Sequence, residues 1–162
     1  MVIFNNLFFI VTLTAALGCG LIAGLFFAFS ISVMKALSLL PPEEGISAMQ
    51  SINVTIINPV FMMAFFGTSV ACVFLIISSL MHWNDPGVVY LFVGGTIYLV
   101  GSLLVTLVFN VPMNDALASV APTDPEGAKL WADYLKNWTF WNHIRTVASL
   151  GAATLLTIAL CH

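Results

Sequence analysis

Four stretches of this chain are apolar over the length a helix needs to cross a bilayer, about 20 residues. They cover about 4–34, 60–81, 88–109 and 141–160. The first meets no charge before Lys35, and the second follows the Asn58–Pro59 pair. None alternates with period two, so a barrel is not expected. The reading is an all-α integral membrane protein: one domain over 1–162, a four-helix bundle with helical extensions forming a cap at one end. The first stretch lacks a positive leading region and is too long for a signal core, so it is read as a retained helix.

Charge agrees with this. Only 7% of residues are charged and 60% are hydrophobic, against roughly 25% charge in soluble domains. A water-facing surface cannot be built from so few charges, so the bilayer is the expected surroundings. Disorder is excluded by the hydrophobicity, and nucleic acid by the lack of any basic cluster. Cys19, Cys72 and Cys161 form no Cys-x-x-Cys pair and read as small apolar fillers.

An even number of spans puts both termini on one side with the short 82–87 loop. The longer connections, 35–59 and 110–137, share the other. Lys35, Lys129, Lys136 and Arg145 all lie there, so the positive-inside rule makes that side cytoplasmic. Both connections carry helix-start signals, at Pro41-Pro42-Glu43-Glu44 and Asp124-Pro125-Glu126. The first predicts an extension of helix 2 bent at Pro59, the second a run through Trp131 and Tyr134 into helix 4. Ala16, Gly20, Gly24, Ala28 and Ser32 repeat at every fourth position of the first helix. Such a groove admits a second helix backbone, within the bundle in the first instance and in a homo-oligomer as the alternative. Gly94, Gly95 and Gly101 offer an opposing surface.

Polar residues inside spans are expensive and so mark function. Here they gather at the end bearing the long connections: Ser30, Gln50, Asn53, Asn58, Asn110, Asn114, Asp115, Trp138, Trp141, Asn142, His143 and Arg145. On a helical wheel Trp138, Trp141, Asn142, Arg145 and Ser149 share one face, with His143 at its edge. Pro112 is expected to break the third helix, with Asn110 ending one segment and capping the next. Arg145 could alternatively pair with Asp115 or Asp133, Asn58 and Asn110 could satisfy freed backbone groups, and the aromatics could form an interfacial belt. A metal site needs three or more His, Cys or carboxylate ligands, and this end holds one His and no Cys; no metal and no cofactor are expected.

The run Asn110-Val111-Pro112-Met113-Asn114-Asp115-Ala116-Leu117, with Trp131, Tyr134, Trp138, Trp141, Asn142, His143, Arg145 and Thr146, resembles the anthrone-oxygenase-like family of small four-helix membrane proteins. Gly24 to Ser30 and Asn53…Asn58-Pro59-Val60-Phe61 fit as well. The resemblance implies oxidation of an anthrone or hydroquinone-like aromatic by O2 without a cofactor. On that reading His143 is the base that removes an acidic C–H proton. Arg145, Asn110, Asn114 and Asn142 stabilise the enolate oxygen, and Trp138 and Trp141, with Asn53 and Asn58, hold the flat substrate. The alternatives are a non-catalytic binder of a lipid or quinone, an assembly subunit, and a metal or haem protein.

Overall fold

A computed structural model describes the chain from Val2 to His162, with side chains from Asn6 onward. Among the described residues there is no strand; the molecule is built from helices. They are α1 (Val2–Ala28), α2 (Met34–Leu37), α3 (Pro42–Thr55), α4 (Pro59–Met81), α5 (Val88–Tyr98), α6 (Val111–Ala118) and α7 (Pro125–Ala159). Three wide-turned π segments, Phe29–Val33, Leu99–Leu104 and Thr106–Asn110, join α1 to α2 and α5 to α6. Three helical stretches are long and apolar enough to cross a membrane: Asn6–Leu37, Pro59–Met81 and Val88–Ala118. The protein is an integral membrane protein.

Chain chemistry places the ends. Pro59 opens α4, and the Asn58 side-chain Oδ1 accepts from Val60 N at 3.1 Å and Phe61 N at 3.0 Å, capping two otherwise unpaired donors. Asp124 caps α7 in the same way through Glu126 N at 3.0 Å. Gly87 turns the chain into α5 at φ 77°, a left-handed conformation suited to glycine. Within the apolar stretches, Ser69, Ser79, Thr96 and Thr106 donate to carbonyls four residues back. That satisfies hydroxyls where hydrocarbon offers no partner.

The four long stretches pack as a ring, α7 on α1 and α5, and α4 on α5 and α1. Its core holds Cys19, Ile22, Phe26, Phe65, Cys72, Leu75, Tyr98 and Leu156. Close approaches come from glycines other than the α1 stripe. Gly18 faces Thr68, Gly95 faces Ile76, and Gly101 abuts Ala148. A Cβ at Gly20 or Gly24 would meet nothing within 4 Å, and Gly24, Ala28 and Ser32 are exposed. Of the stripe only Ala16 is buried in the core; from Gly20 onward it does not serve the intramolecular packing expected of it, and Gly94, Gly95 and Gly101 meet α4 and α7.

The cap is formed. Met34, Leu37, Ile46, Met49, Leu117, Trp131, Tyr134 and Trp138 make a second buried cluster. Trp131, Tyr134 and Trp138, for which an interfacial belt was the alternative, are thus interior groups. Gly45 lets the Trp131 ring lie directly on α3. The chain breaks at Ile56–Asn58 between α3 and α4, where an unbroken but bent helix was expected. The third stretch shows the opposite difference: it does not end before Pro112 but continues to Ala118. Proline lacks an amide donor and crowds the carbonyl four residues back. The π segment Thr106–Asn110 widens the helix at that point, so the ring is accommodated and Asn110 caps nothing with its side chain.

Candidate functional site

Two adjoining cavities lie where the ring of helices meets the cap. The inner one, about 190 Å³, is walled mainly by Phe26, Phe29, Met49, Ile52, Phe61 and Phe65. Its polar lining consists of Asn53, Thr106, Asn114 and Arg145, with the Trp138 indole beside them. The outer one, about 640 Å³, is lined by Gln50, Asn53, Val54, Ile57, Val111, Asn114, Asp115 and Ala118. Asn53, Ile57, Val111 and Asn114 border both. Two of the three π segments, Phe29–Val33 and Thr106–Asn110, contribute to the wall of the inner cavity, an arrangement frequent at functional sites.

Arg145 dominates the inner cavity. It is 4% exposed. One terminal nitrogen donates to Thr106 Oγ1 at 3.2 Å and the other to Asn142 Oδ1 at 2.6 Å, while Nε has no partner. Its planar face lies 4.1 Å from the Phe26 ring centre and 5.0 Å from that of Trp138, within cation–π range. Among the described residues no carboxylate pairs with it, so the expected alternatives of Asp115 and Asp133 are not met. A buried guanidinium held by neutral partners keeps its positive field for whatever enters.

The other expected residues divide. Asn114 lines both cavities, and its Oδ1 accepts from Tyr134 Oη and Trp138 Nε1, each at 2.8 Å. Asn53 donates weakly to the same phenol at 3.5 Å. Burial pushes the Tyr134 phenol up from its ordinary value, against the opposing effects of the Asn53 hydrogen bond and the Arg145 charge. It therefore stays a neutral donor. Asn142 lies behind the cavity wall: Nδ2 donates to Phe26 O and Ser30 Oγ, both at 2.7 Å, while Oδ1 holds Arg145. It is a positioning residue. Asn110 is also behind the wall, donating to Trp138 O at 3.3 Å, with Oδ1 unpartnered. Asn58 serves as the α4 cap and lines neither cavity.

Trp141 and His143 fall outside. Trp141 stacks on Phe109 at 3.6 Å between ring centres and lines neither cavity. His143 is exposed on α7 and borders neither cavity. Two residues from Arg145, it is turned about 200° around a helix of 3.6 residues per turn. The expectation of His143 as a base beside the substrate does not fit this geometry. Residue chemistry alone missed Thr106 and the phenylalanine wall; Phe26, Phe29 and Phe61 lay in segments that fit the family resemblance but were given no role.

A family model described as anthrone oxygenase matches residues 60–155. The chain belongs to the anthrone oxygenase family. The matched span runs from the start of α4 through most of α7, so it holds Thr106, Asn114, Trp138, Asn142 and Arg145. The walls supplied by Phe26, Phe29 and Asn53 lie before it. No curated protein and no solved structure matches this anthrone oxygenase family member. Among its described residues no three His, Cys, Asp or Glu side chains gather as a metal site.

Proposed function

We propose that this protein is a single four-span bundle whose inner cavity takes an anthrone or hydroquinone-like aromatic and supports its oxidation by O2 without a cofactor. The observation that carries the reading is Arg145, a buried guanidinium without a carboxylate partner, set in a cavity of aromatic and aliphatic walls. An anthrone that loses a proton from its CH2 becomes an enolate, and its anionic oxygen is the group such a cation stabilises most. Arg145 acts on the oxygen; Asn142 and Thr106 hold Arg145; Trp138 and Phe26 flank the rings.

The steps balance. The proton leaves to water in the outer cavity, past Asn53 and Asn114, in place of the His143 route. The enolate passes one electron to O2, and the resulting radical and superoxide combine at the former CH2 carbon with uptake of a proton. Loss of water from the hydroperoxide forms the second carbonyl. One anthrone and one O2 give one anthraquinone and one water. O2 and the aromatic both favour hydrocarbon over water, which suits a site embedded among membrane helices. On this reading the cap and its lysines face the cytoplasm, with both termini opposite.

The second reading is a binder that performs no chemistry. It is favoured by the lining of the inner cavity, where Arg145 is the one ionisable side chain among the described residues and no base stands beside the ligand. O2 uptake with anthrone in reconstituted protein separates the two. The oxygenase reading expects uptake by wild type, falling by about 100-fold or more in Arg145→Gln, on the scale of losing one oxyanion partner. Uptake that survives Arg145→Gln overturns it, and anthrone binding without uptake selects the binder.

A further inference from the structure

The inner cavity has a side opening as well as a border with the outer one. Four of its lining residues, Ile57, Phe66, Leu107 and Val111, are also exposed on the outside of the bundle. They form two rims; Ile57 and Val111 also border the outer cavity, so Phe66 and Leu107 mark the part of the opening that the outer cavity does not share. Ile57 and Phe66 stand on the stretch from the end of α3 into α4; Leu107 and Val111 stand on the stretch from the last π segment into α6. All four are apolar. The polar residues Gln50, Asn53, Asn114 and Asp115 lie farther toward the cap, around the outer cavity.

Local chemistry explains the gap. The Ile56–Asn58 break separates α3 from α4, because Pro59 cannot continue the α3 hydrogen-bond ladder. Opposite it, the Thr106–Asn110 segment has the wide turn that accommodates Pro112. The close helix contacts lie elsewhere: Gly95 lies against Ile76 on α4, and Gly101 turns the same stretch toward Ala148 on α7. Near Leu107 the two rims therefore stand apart.

We infer that the ligand of the inner cavity arrives and leaves sideways, from the hydrocarbon of the bilayer, through the slot between Ile57–Phe66 and Leu107–Val111. This rests on the reading of the cavity as a site for a lipophilic aromatic. Such a compound is concentrated in the bilayer, and an apolar rim imposes no desolvation of polar groups on its passage. The alternative path through the outer cavity would take the rings past Asn53, Asn114 and Asp115. A dry cavity of about 150 Å³ holds benzene, so one of about 190 Å³ encloses little more than the end of a fused-ring ligand, and the slot gives the apolar remainder a hydrocarbon surrounding that the partly polar outer cavity does not.

The test uses 6-fluoro-2-naphthol, a two-ring phenol, with the protein in lipid nanodiscs; 19F NMR resolves bound from bilayer-dissolved probe and gives their exchange rate. Leu107→Trp, on an exposed rim position, is expected to slow exchange about tenfold, read on whatever fraction of probe is bound. Ala118→Trp, at the outer cavity, is expected to exchange at the wild-type rate. Phe66→Trp on the opposite rim serves the same purpose as Leu107→Trp if the latter fails to fold. Wild-type exchange in the rim variants, slowing by Ala118→Trp in their place, or no bound probe in wild type overturns the slot. Anthrone turnover plays no part in this readout. A protein that binds the probe through the slot but consumes no O2 fails only the oxygenase reading.

Discussion

Replacing Asn114 by aspartate separates the electrostatics of the inner cavity from its packing. Asn114 Oδ1 accepts hydrogen bonds from Tyr134 and Trp138, each at 2.8 Å. Aspartate has the same shape and keeps both acceptor bonds, so the cap is held while a negative charge is added to the cavity wall. From the guanidinium the path runs 5.0 Å to the Trp138 ring and 2.8 Å on to the Asn114 oxygen. A carboxylate there stands roughly 9 Å from an anion seated at Arg145, and at an effective dielectric of about 20 the two repel by about 2 kcal/mol. That is about a 20-fold loss of affinity. The assay is binding of 2-naphthoate, which carries a charge, and of naphthalene, which does not, to wild type and Asn114→Asp in nanodiscs. Naphthoate should weaken about 20-fold and naphthalene should bind as before. Asn114→Leu is the contrasting change: it leaves two buried donors unpaired, costing about 2–4 kcal/mol of stability. Unchanged naphthoate affinity in Asn114→Asp, or equal loss of both ligands, refutes Arg145 as the anion-binding group of this cavity.

His143→Ala should retain anthrone-dependent O2 uptake within about twofold of wild type, because the side chain borders neither cavity; a loss of about 100-fold would return it to the chemistry. Gly101→Ala should destabilise the bundle by about 1–3 kcal/mol, since its new methyl meets the Ala148 side chain and overpacks the contact with α7; a thermal unfolding curve unchanged from wild type would contradict that packing. The raised Tyr134 phenol has a pH signature. The folded state keeps this proton above the ordinary tyrosine value of about 10, whereas the unfolded state releases it. Its contribution is complete below that value and falls as pH rises beyond it. Melting temperatures taken from about pH 9 upward should fall less steeply in Tyr134→Phe than in wild type, and parallel curves would count against burial of this phenol.

Length and hydropathy made the all-helical membrane architecture legible from residue order, because hydrocarbon tolerates few unpaired polar groups and a helix satisfies its own backbone. Helix starts were equally local. Asn58-Pro59 and Asp124-Pro125 act through side chains two or three residues from the amides they cap. The gathering of polar residues at one end followed from chain connectivity, and it brought Asn53, Asn114, Trp138 and Arg145 together on the inner wall.

Packing decided what pattern could not. The α1 stripe has the spacing of a contact groove, yet Gly20 and Gly24 face open space; spacing defines a surface and leaves open which helix covers it. Pro112 carries a helix-breaking signal that the Thr106–Asn110 π segment absorbs. His143 and Arg145 are two residues apart in sequence and opposite in orientation, because a helix turns about 100° per residue. Sequence by itself determined the solvent, the helices and the end of the molecule that bears the polar groups, since those depend on local composition and order. Only the tertiary structure decided that Arg145 faces Phe26 and Trp138 while His143 faces outward, because a wall is made by side chains from helices distant in sequence.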